Sequence, residues 1–130
     1  AKLHLILQCR ERGIPLISSM GAANKLDPTR FQVADLFETS YDPIAKVLRR
    51  ELRKKGIKKG VKVVYSTETP VAAREEVLKE VVQDPNSPIR KAIRPPASVA
   101  FVPSVAGLIM TSVIIRDLLE KAGIEVLRED

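Results

Sequence analysis

At 130 residues the chain forms one domain at most, and its apolar fraction of 45% is enough for a modest hydrophobic core. The only cysteine, Cys9, excludes an internal disulfide, and one cysteine with one histidine cannot make the usual zinc site. A single thiol fits a reducing compartment, so we expect a cytoplasmic protein with no metal site in this chain. The net charge of +6 indicates a polyanionic partner, or contributes to solubility alone.

The beginning of the chain predicts one helix and two strands. Residues 2–12 have apolar side chains at helical spacing, and Gly13 suits the left-handed position that ends a helix. Ile14–Ser18 is a short apolar run typical of a buried strand, and Phe31–Phe37 alternates as a strand does. Because these two strands are close in sequence, we expect them to pair like a hairpin.

The middle of the chain predicts a second helix and a third strand. Asp42 is the candidate N-cap of this helix, and Pro43 suits its first position. Gly56 ends the helix, and the strand Lys62–Ser66 follows. The predicted buried stripe of the helix consists of Ile44, Val47, Leu48 and Leu52.

Residues 70–96 are interpreted as a mobile crossover segment. Four of the nine prolines fall within residues 84–96, which is typical of a loop or linker. Residues 72–82 are compatible with a helix inside that segment.

The stretch 97–115 contains no charged residue and approaches the length of a membrane span. Pro103 and Gly107 divide it, however, so we do not expect it to cross a membrane. We interpret it as a buried strand, Ala97–Val102, followed by a buried helix, Pro103–Lys121. We also expect no signal peptide.

Small residues directly after the first strand form a candidate ligand loop. In open α/β sheets, ligands bind where strands end at their carboxyl edge, and small residues let a ligand approach the backbone. Ordinary connections use the same residue types, and spacing alone favours such a connection. The residues of this candidate loop are Ser19, Met20, Gly21 and Ala22.

A run of basic residues is the second candidate site. Nine lysines and arginines fall between Lys46 and Lys62, and Glu51 is the only acid among them. Such a patch binds RNA through counterion release, or it is simply a solvated helix face. No aromatic residue is interleaved, which argues against sequence-specific binding of single strands. The candidate RNA contacts are Arg49, Arg50, Arg53 and Lys54.

Four stretches carry a family resemblance: Pro15–Ala22 with Leu26–Thr29, Asp42-Pro43 with Leu48-Arg49, Val63–Glu68, and Phe101–Leu108. In this order they resemble the adenylating proteins of the ThiF–MoeB–HesA type, which are similar to ubiquitin-activating enzymes. Within that family the chain looks most like the bacterial tRNA threonylcarbamoyladenosine dehydratases.

The resemblance implies an α/β fold, namely the second half of a Rossmann-like adenylation domain with a mixed sheet over residues 1–130. The six glycines form neither GxGxxG nor a phosphate-binding P-loop, so the chain lacks the cradle that ATP requires. In the family that cradle lies upstream of the matched stretches. We therefore expect the nucleotide-binding half to be absent here and this chain alone to be inactive.

For the intact protein the resemblance implies an ATP- and Mg-dependent enzyme that adenylates the threonylcarbamoyl carboxylate on tRNA and promotes its cyclisation. Two alternatives stay open: an adenylyltransferase for a ubiquitin-like sulfur-carrier protein, and a non-catalytic basic module for tRNA binding or dimerisation. The implied partners are tRNA and a second copy in a homodimer, with a sulfur-transfer protein as a further option. No catalytic residue is assigned. Residues 97–103 lack the cysteine that some family members carry, which puts a covalent thiol role in doubt.

Overall fold

The computed structural model describes residues 1–72, 74 and 97–129, which contain three α-helices, three strands and two short 3-10 turns. In chain order these elements are α1 (Lys2–Glu11), β1 (Ile17–Ser19), a 3-10 turn (Pro28–Arg30), β2 (Phe31–Asp35), a second 3-10 turn (Leu36–Glu38), α2 (Pro43–Lys54), β3 (Lys62–Ser66) and α3 (Phe101–Lys121). The predicted segment 70–96, with its possible helix over 72–82, lies almost entirely outside the described residues.

The three strands form one mixed sheet with β3 at its centre. β1 pairs with β3 in parallel and β2 pairs with β3 in antiparallel, giving the order β1-β3-β2. The predicted hairpin of the first two strands is therefore wrong, because β3 lies between them. The bounds of β3 agree with the sequence prediction. Its residues are buried from Val63 onwards because helices cover both faces of the sheet.

Alternate residues of β3 divide the core into two clusters. Val63 and Tyr65 face α1 and α2, where they join a cluster that includes Leu48 and Leu52. Val64 faces the opposite way and packs with residues of α3. The period of two along a strand produces this division, and it creates a three-layer arrangement of helix, sheet and helix.

The ends of α1 and α2 follow the sequence prediction. Gly13 and Gly56 both adopt positive φ angles, +65° and +78°, directly after the helices. Such angles are costly for residues with a side chain, so glycine suits both positions. At the start of α2, the Asp42 carboxylate accepts the Ala45 amide proton at 2.9 Å, and Pro43 follows the cap.

The first two strands differ in their bounds from the prediction. β1 begins at Ile17 because the chain before it still closes α1, with the Ile14 amide donating to the Cys9 carbonyl at 2.8 Å. β2 ends at Asp35, whose carboxylate accepts the Phe37 amide proton at 3.0 Å and starts a 3-10 turn.

The predicted strand Ala97–Val102 does not form. Residues 97–100 lie outside any strand, and α3 begins at Phe101, two residues before Pro103. A short apolar run has no period that separates a strand from a helix, and proline is accepted within the first helical turn. Val102 and Ala106, four residues apart, then share the face that packs on the sheet.

The prediction that the last helix is buried is also wrong. Along α3 only Val102, Ala106 and Val113 are buried. By length and composition α3 is also the single helix of the described residues that could cross a membrane, and 17% of its most apolar 18-residue stretch is buried. Its large exposed apolar side chains are Phe101, Leu108, Ile114, Ile115 and Leu118.

Candidate functional site

The candidate loop begins where β1 ends, at the carboxyl edge of the parallel pair β1–β3. Ser19 is the last strand residue, and the Met20 amide still donates to the Val64 carbonyl of β3 at 2.8 Å. The Met20 side chain lies in the core at 4% exposure, so only its backbone faces the loop. Ala22 packs against the cluster beneath α3. Of the four predicted loop residues, Met20 is buried, while Ser19, Gly21 and Ala22 are partly exposed.

The Asp42 carboxylate joins this loop to helix α2. Its Oδ1 accepts the Ala45 amide proton as the helix cap, while its Oδ2 accepts the Gly21 amide proton at 2.8 Å. The side chain is 5% exposed, so water competes little for either bond. A methyl group at Gly21 would lie 3.1 Å from Oδ2, which shows how closely loop and carboxylate approach. The cap pattern in the sequence identifies Asp42, but it gives no sign of the second bond.

Glu68 holds the far end of the same loop. Its carboxylate accepts the Leu26 and Asp27 amide protons, each at 2.9 Å. The ammonium group of Lys25, which is 7% exposed, donates to the Glu68 backbone carbonyl. A short chain segment from Gly21 to Asp27 is thus fixed by one carboxylate at each end.

Asn24 fixes the middle of the loop and also forms hydrogen bonds to two residues that are distant in sequence, Val71 and Ala97. Its backbone amide donates to the Ala97 carbonyl at 2.6 Å, and its side-chain Oδ1 accepts the Ala97 backbone amide proton at 3.1 Å. Its own carbonyl accepts the Val71 amide proton at 2.7 Å. Asn24 has a φ of +58°, a conformation that asparagine tolerates better than most residues. The loop is consequently ordered before any ligand binds.

The carboxylates beside the loop do not form a metal site. Asp42 and Glu68 are both occupied by backbone amides. Across residues 1–72, 74 and 97–129, no three side chains of histidine, cysteine, aspartate or glutamate converge on one point. The described residues therefore offer no three-ligand cluster for the Mg ion that the resemblance implies for the intact protein.

The four predicted RNA contacts on α2 have different surroundings. Arg49 is half-buried, and its guanidinium donates to the Thr39 carbonyl at 3.1 Å, so it braces the turn before the helix. Arg53 is exposed and lies over the Phe37 ring, 5.5 Å from its centroid. Arg50 and Lys54 are exposed and share Glu51, at 3.1 and 3.2 Å. Arg50, Arg53 and Lys54 are therefore presented to solvent, while Arg49 is committed to the fold.

Two surface carboxylates have lowered pKa values with local causes. Hydrogen bonds from Lys54 and then Arg50 hold the pKa of Glu51 below its ordinary value. The Thr29 hydroxyl and amide, with Arg30 nearby, likewise lower the pKa of Asp27. Because the folded-state pKa is lowered, each contact stabilises the fold at neutral pH and is lost as the pH falls through that pKa. Asp27 is exposed and Glu51 is partly exposed to solvent, so the contribution of each is small.

A groove of 860 Å³ lies at the opposite edge of the sheet from the candidate loop. Lys62, the first residue of β3, pairs with Ile17 at the amino end of β1 and with Asp35 at the carboxyl end of β2, and all three residues line the groove. The second half of α3 forms its wall with Ile114 and Leu118. The groove is thus largely apolar, and it is remote from the residues that follow β1.

Comparison with known proteins supports the predicted fold class. The architecture is α/β with a mixed three-stranded sheet, and it matches a crystal structure of the Escherichia coli tRNA N6-threonylcarbamoyladenosine dehydratase with a TM-score of 0.74 at 29% identity. That match covers 94% of this chain and 45% of the other. A crystal structure of the same enzyme in complex with ATP matches with a TM-score of 0.73, over 94% of this chain and 44% of that one.

The relatives found by sequence comparison are also named as tRNA threonylcarbamoyladenosine dehydratases. The tRNA threonylcarbamoyladenosine dehydratase of Bacillus subtilis is 59% identical over 128 residues, which is 98% of this chain and 50% of that protein. The tRNA threonylcarbamoyladenosine dehydratase 2 of Saccharomyces cerevisiae is 46% identical over 77 residues, 59% of this chain and 17% of that protein. No protein-family model matches the chain. The chain spans about half the length of the Bacillus subtilis relative and of the Escherichia coli structures.

The two bonds of Asp42 can be separated by substitution. In Asp42→Asn one oxygen remains to cap α2, but an NH₂ group then faces the Gly21 amide and that bond is lost. Asp42→Ala removes both bonds. We expect losses of about 1 kcal/mol for Asp42→Asn and about 2–4 kcal/mol for Asp42→Ala in chemical denaturation.

Amide hydrogen exchange identifies which of the two bonds is broken. Protection at Gly21 should fall in Asp42→Asn while protection at Ala45 persists. The exposed cap variant Asp27→Asn serves as the control and should leave both amides unchanged. Undiminished protection of Gly21 in Asp42→Asn would contradict the described link.

Proposed function

We propose that the protein to which this chain belongs is an ATP-dependent tRNA threonylcarbamoyladenosine dehydratase. The observation that carries the proposal is the 59% identity to the Bacillus subtilis enzyme of that name across 98% of this chain. The structural match to the Escherichia coli dehydratase supports it independently. We place the protein in the ThiF–MoeB–HesA type of adenylating proteins, as the four matched stretches suggest.

The proposed reaction activates a carboxylate and then displaces the activating group. A carboxylate oxygen of the threonylcarbamoyl group attacks the α-phosphorus of ATP, and pyrophosphate leaves. A nucleophilic atom of the same modified adenosine then attacks the acyl carbon, and AMP leaves with the former carboxylate oxygen. The net change is loss of one water from the tRNA group while ATP becomes AMP and pyrophosphate. Activation is needed because oxide is a far poorer leaving group than AMP.

The role proposed for this chain is to present a rigid loop to the nucleotide or the activated carboxylate. The bonds at Gly21, Asn24 and Asp27 hold the loop in place, so little ordering is lost when a ligand binds. Ser19 stands at the carboxyl edge of the sheet, where ligands of α/β proteins bind. ATP phosphates and Mg would be held mainly by parts of the protein outside this chain, since the described residues offer neither a glycine-rich cradle nor a cluster of three metal ligands.

The basic face of α2 is proposed to bind the tRNA backbone. Arg50, Arg53 and Lys54 are exposed to solvent. Glu51 is the one acidic residue that forms ion pairs with this face in the described part of the chain, with Arg50 and with Lys54. Further exposed cations continue the face beyond the helix, which extends the track available to phosphates. These cations are Lys55, Lys58 and Lys59.

Adenylation of a sulfur-carrier protein is the less favoured alternative. Such an enzyme needs an apolar groove for the carrier's tail next to the activated carboxylate. The groove of this structure instead lies at the amino edge of the sheet, across the sheet from Ser19–Ala22. A sulfur-transfer partner has no specific support in the described residues.

A homodimer is proposed because α3 exposes a broad apolar surface. Leu108, Ile115 and Leu118 are 68%, 52% and 56% exposed, and Ile114 lines the adjoining groove. Large contiguous apolar patches are uncommon on monomers. We propose that a second copy covers part of this surface in the intact protein, which we place in the cytoplasm.

The catalytic proposal is tested with the longer protein that contains this chain. Incubated with ATP, Mg and tRNA bearing threonylcarbamoyladenosine, it should release AMP and convert the modified nucleoside to a product lighter by one water, detected by mass spectrometry. The 130-residue chain alone should show no ATP binding by calorimetry at micromolar concentrations. Absence of the lighter nucleoside would overturn the proposal.

The RNA-binding proposal is tested by reversing charge on α2. The triple variant Arg50→Glu, Arg53→Glu and Lys54→Glu should weaken tRNA binding and flatten its salt slope by about one unit for each phosphate that the helix no longer binds. Reversal of three exposed cations elsewhere, Arg116, Lys121 and Arg128, is the matched control and should leave the slope unchanged. Equal slopes for the α2 variant and the wild type would assign the basic face to solvation only.

The dimer proposal is tested by light scattering. The wild-type chain at micromolar concentration should scatter as a dimer, and Ile115→Asp with Leu118→Asp should convert it to a monomer. Leu127→Asp changes an 87% exposed residue outside α3 and should leave the mass unchanged. A monomeric wild type that does not aggregate would contradict the proposal.

A further inference from the structure

Tyr41 combines a strained backbone with a solvent-exposed ring. Its φ is +60°, and the only other non-glycine residue with positive φ in the described parts of the chain is Asn24. Asparagine is suited to this conformation, whereas a bulky side chain there is an outlier. The ring is also 81% exposed, the highest exposure of the five aromatic residues. Core packing therefore cannot explain why a tyrosine occupies this position.

The residues that flank Tyr41 in the chain are held in place by tertiary hydrogen bonds. Thr39 is 8% exposed, and its hydroxyl donates to the Leu36 carbonyl at 2.7 Å. Arg49 donates to the Thr39 carbonyl, and Asp42 is held by the Gly21 and Ala45 amides. The short turn between Thr39 and Asp42 therefore has little freedom to relax. A conformation that is strained and yet held in place is a reason to look for a function.

We propose that Tyr41 is an RNA-binding residue that stacks on a nucleobase of the tRNA held by α2. The inference rests on the proposed function, because α2 must carry the phosphate contacts. The Lys46 amide donates to the Asp42 carbonyl at 3.0 Å, so Lys46 stands in the first turn of α2, directly beyond the tyrosine. Tyr41 thus lies two residues before a helix that carries exposed cations, and aromatic and basic side chains on one surface bind unpaired nucleotides through stacking and charge together.

This placement changes one conclusion drawn from the sequence. No aromatic residue interrupts the basic run from Lys46 to Lys62, which argued against sequence-specific binding of single strands. In the structure the aromatic residue precedes the run and lies at the start of the same helix. The turn at Tyr41 also leads directly into the buried Asp42 that holds the candidate loop. A base stacked on Tyr41 would thus be close to the loop proposed to contact the activated group.

The experiment compares three variants of the longer protein in tRNA binding at fixed salt. Tyr41→Asn removes the ring and suits the backbone conformation, so binding should weaken about 10-fold while Tm rises by about 2–4 °C. Tyr41→Leu removes the ring but keeps the strain, and it should weaken binding to the same extent without the rise in Tm. Tyr41→Phe keeps the ring and should bind within about twofold of wild type. The salt slope should stay unchanged throughout, since no charge is altered.

The outcomes separate this inference from the proposed function. Unchanged affinity in both Tyr41→Asn and Tyr41→Leu would overturn the stacking role. A changed oligomeric mass in these variants, with tRNA affinity intact, would overturn it too and would assign the ring to a protein contact. Charge reversal on α2 reports separately on RNA binding by the helix. If that reversal weakens binding and the Tyr41 variants do not, only the present inference fails.

Discussion

The paired hydrogen bonds of the Asp42 carboxylate are the interaction on which the candidate site depends. One oxygen starts α2 and the other holds Gly21, twenty-one residues earlier in the chain. The carboxylate is buried, so the loss of either partner would leave a costly unsatisfied acceptor. Because a single rigid group makes both bonds, the loop after β1 and the basic helix keep a fixed relative position. The proposed substrate contact and the proposed tRNA contact are thereby built on one support.

The sheet explains why so much apolar surface remains at the other end of the molecule. Three strands offer α3 only a short platform, on which Val102 and Ala106 at its beginning are almost fully buried. Further along, the 21-residue helix extends over the groove with Ile114 and Leu118 facing open space. The Bacillus subtilis relative and the Escherichia coli structures are about twice as long as this chain. A surface of this kind is consistent with additional protein, from the same or another copy, packing there.

Local chemistry in the sequence predicted the features that depend on few neighbouring residues. The cap at Asp42, the left-handed glycines at 13 and 56, and the strand Lys62–Ser66 follow from nearest-neighbour rules and agree with the structure. The pairing of strands was not accessible in this way, because the insertion of β3 between β1 and β2 is a long-range event. The same holds for Ala97–Val102, where a short apolar run carries no periodicity to reveal a helix.

The candidate site was likewise predictable from the sequence only in part. The position of the loop at Ser19–Ala22 came from the sequence, but the burial of Met20 and the bracing role of Arg49 did not. Arg49 looks like its neighbours in the basic run until its bond to the turn at Thr39 is seen. No spacing rule in the sequence predicts that Tyr41 adopts a left-handed conformation. These properties arise from tertiary contacts that override the preference of the individual residue.

Asn24 gives the chain a natural place for insertions. The strand side of the segment leaves at Val71 and the helix side returns at Ala97, and both are bonded to this one asparagine. Because Val71 and Ala97 are both bonded to Asn24, these two points of the chain are held together whatever the number of residues between them. The entropic cost of closing a loop grows only with the logarithm of its length, about 0.6 kcal/mol per doubling. We therefore expect this point of the chain to accept an inserted domain, such as a fluorescent reporter, without disturbance of the core.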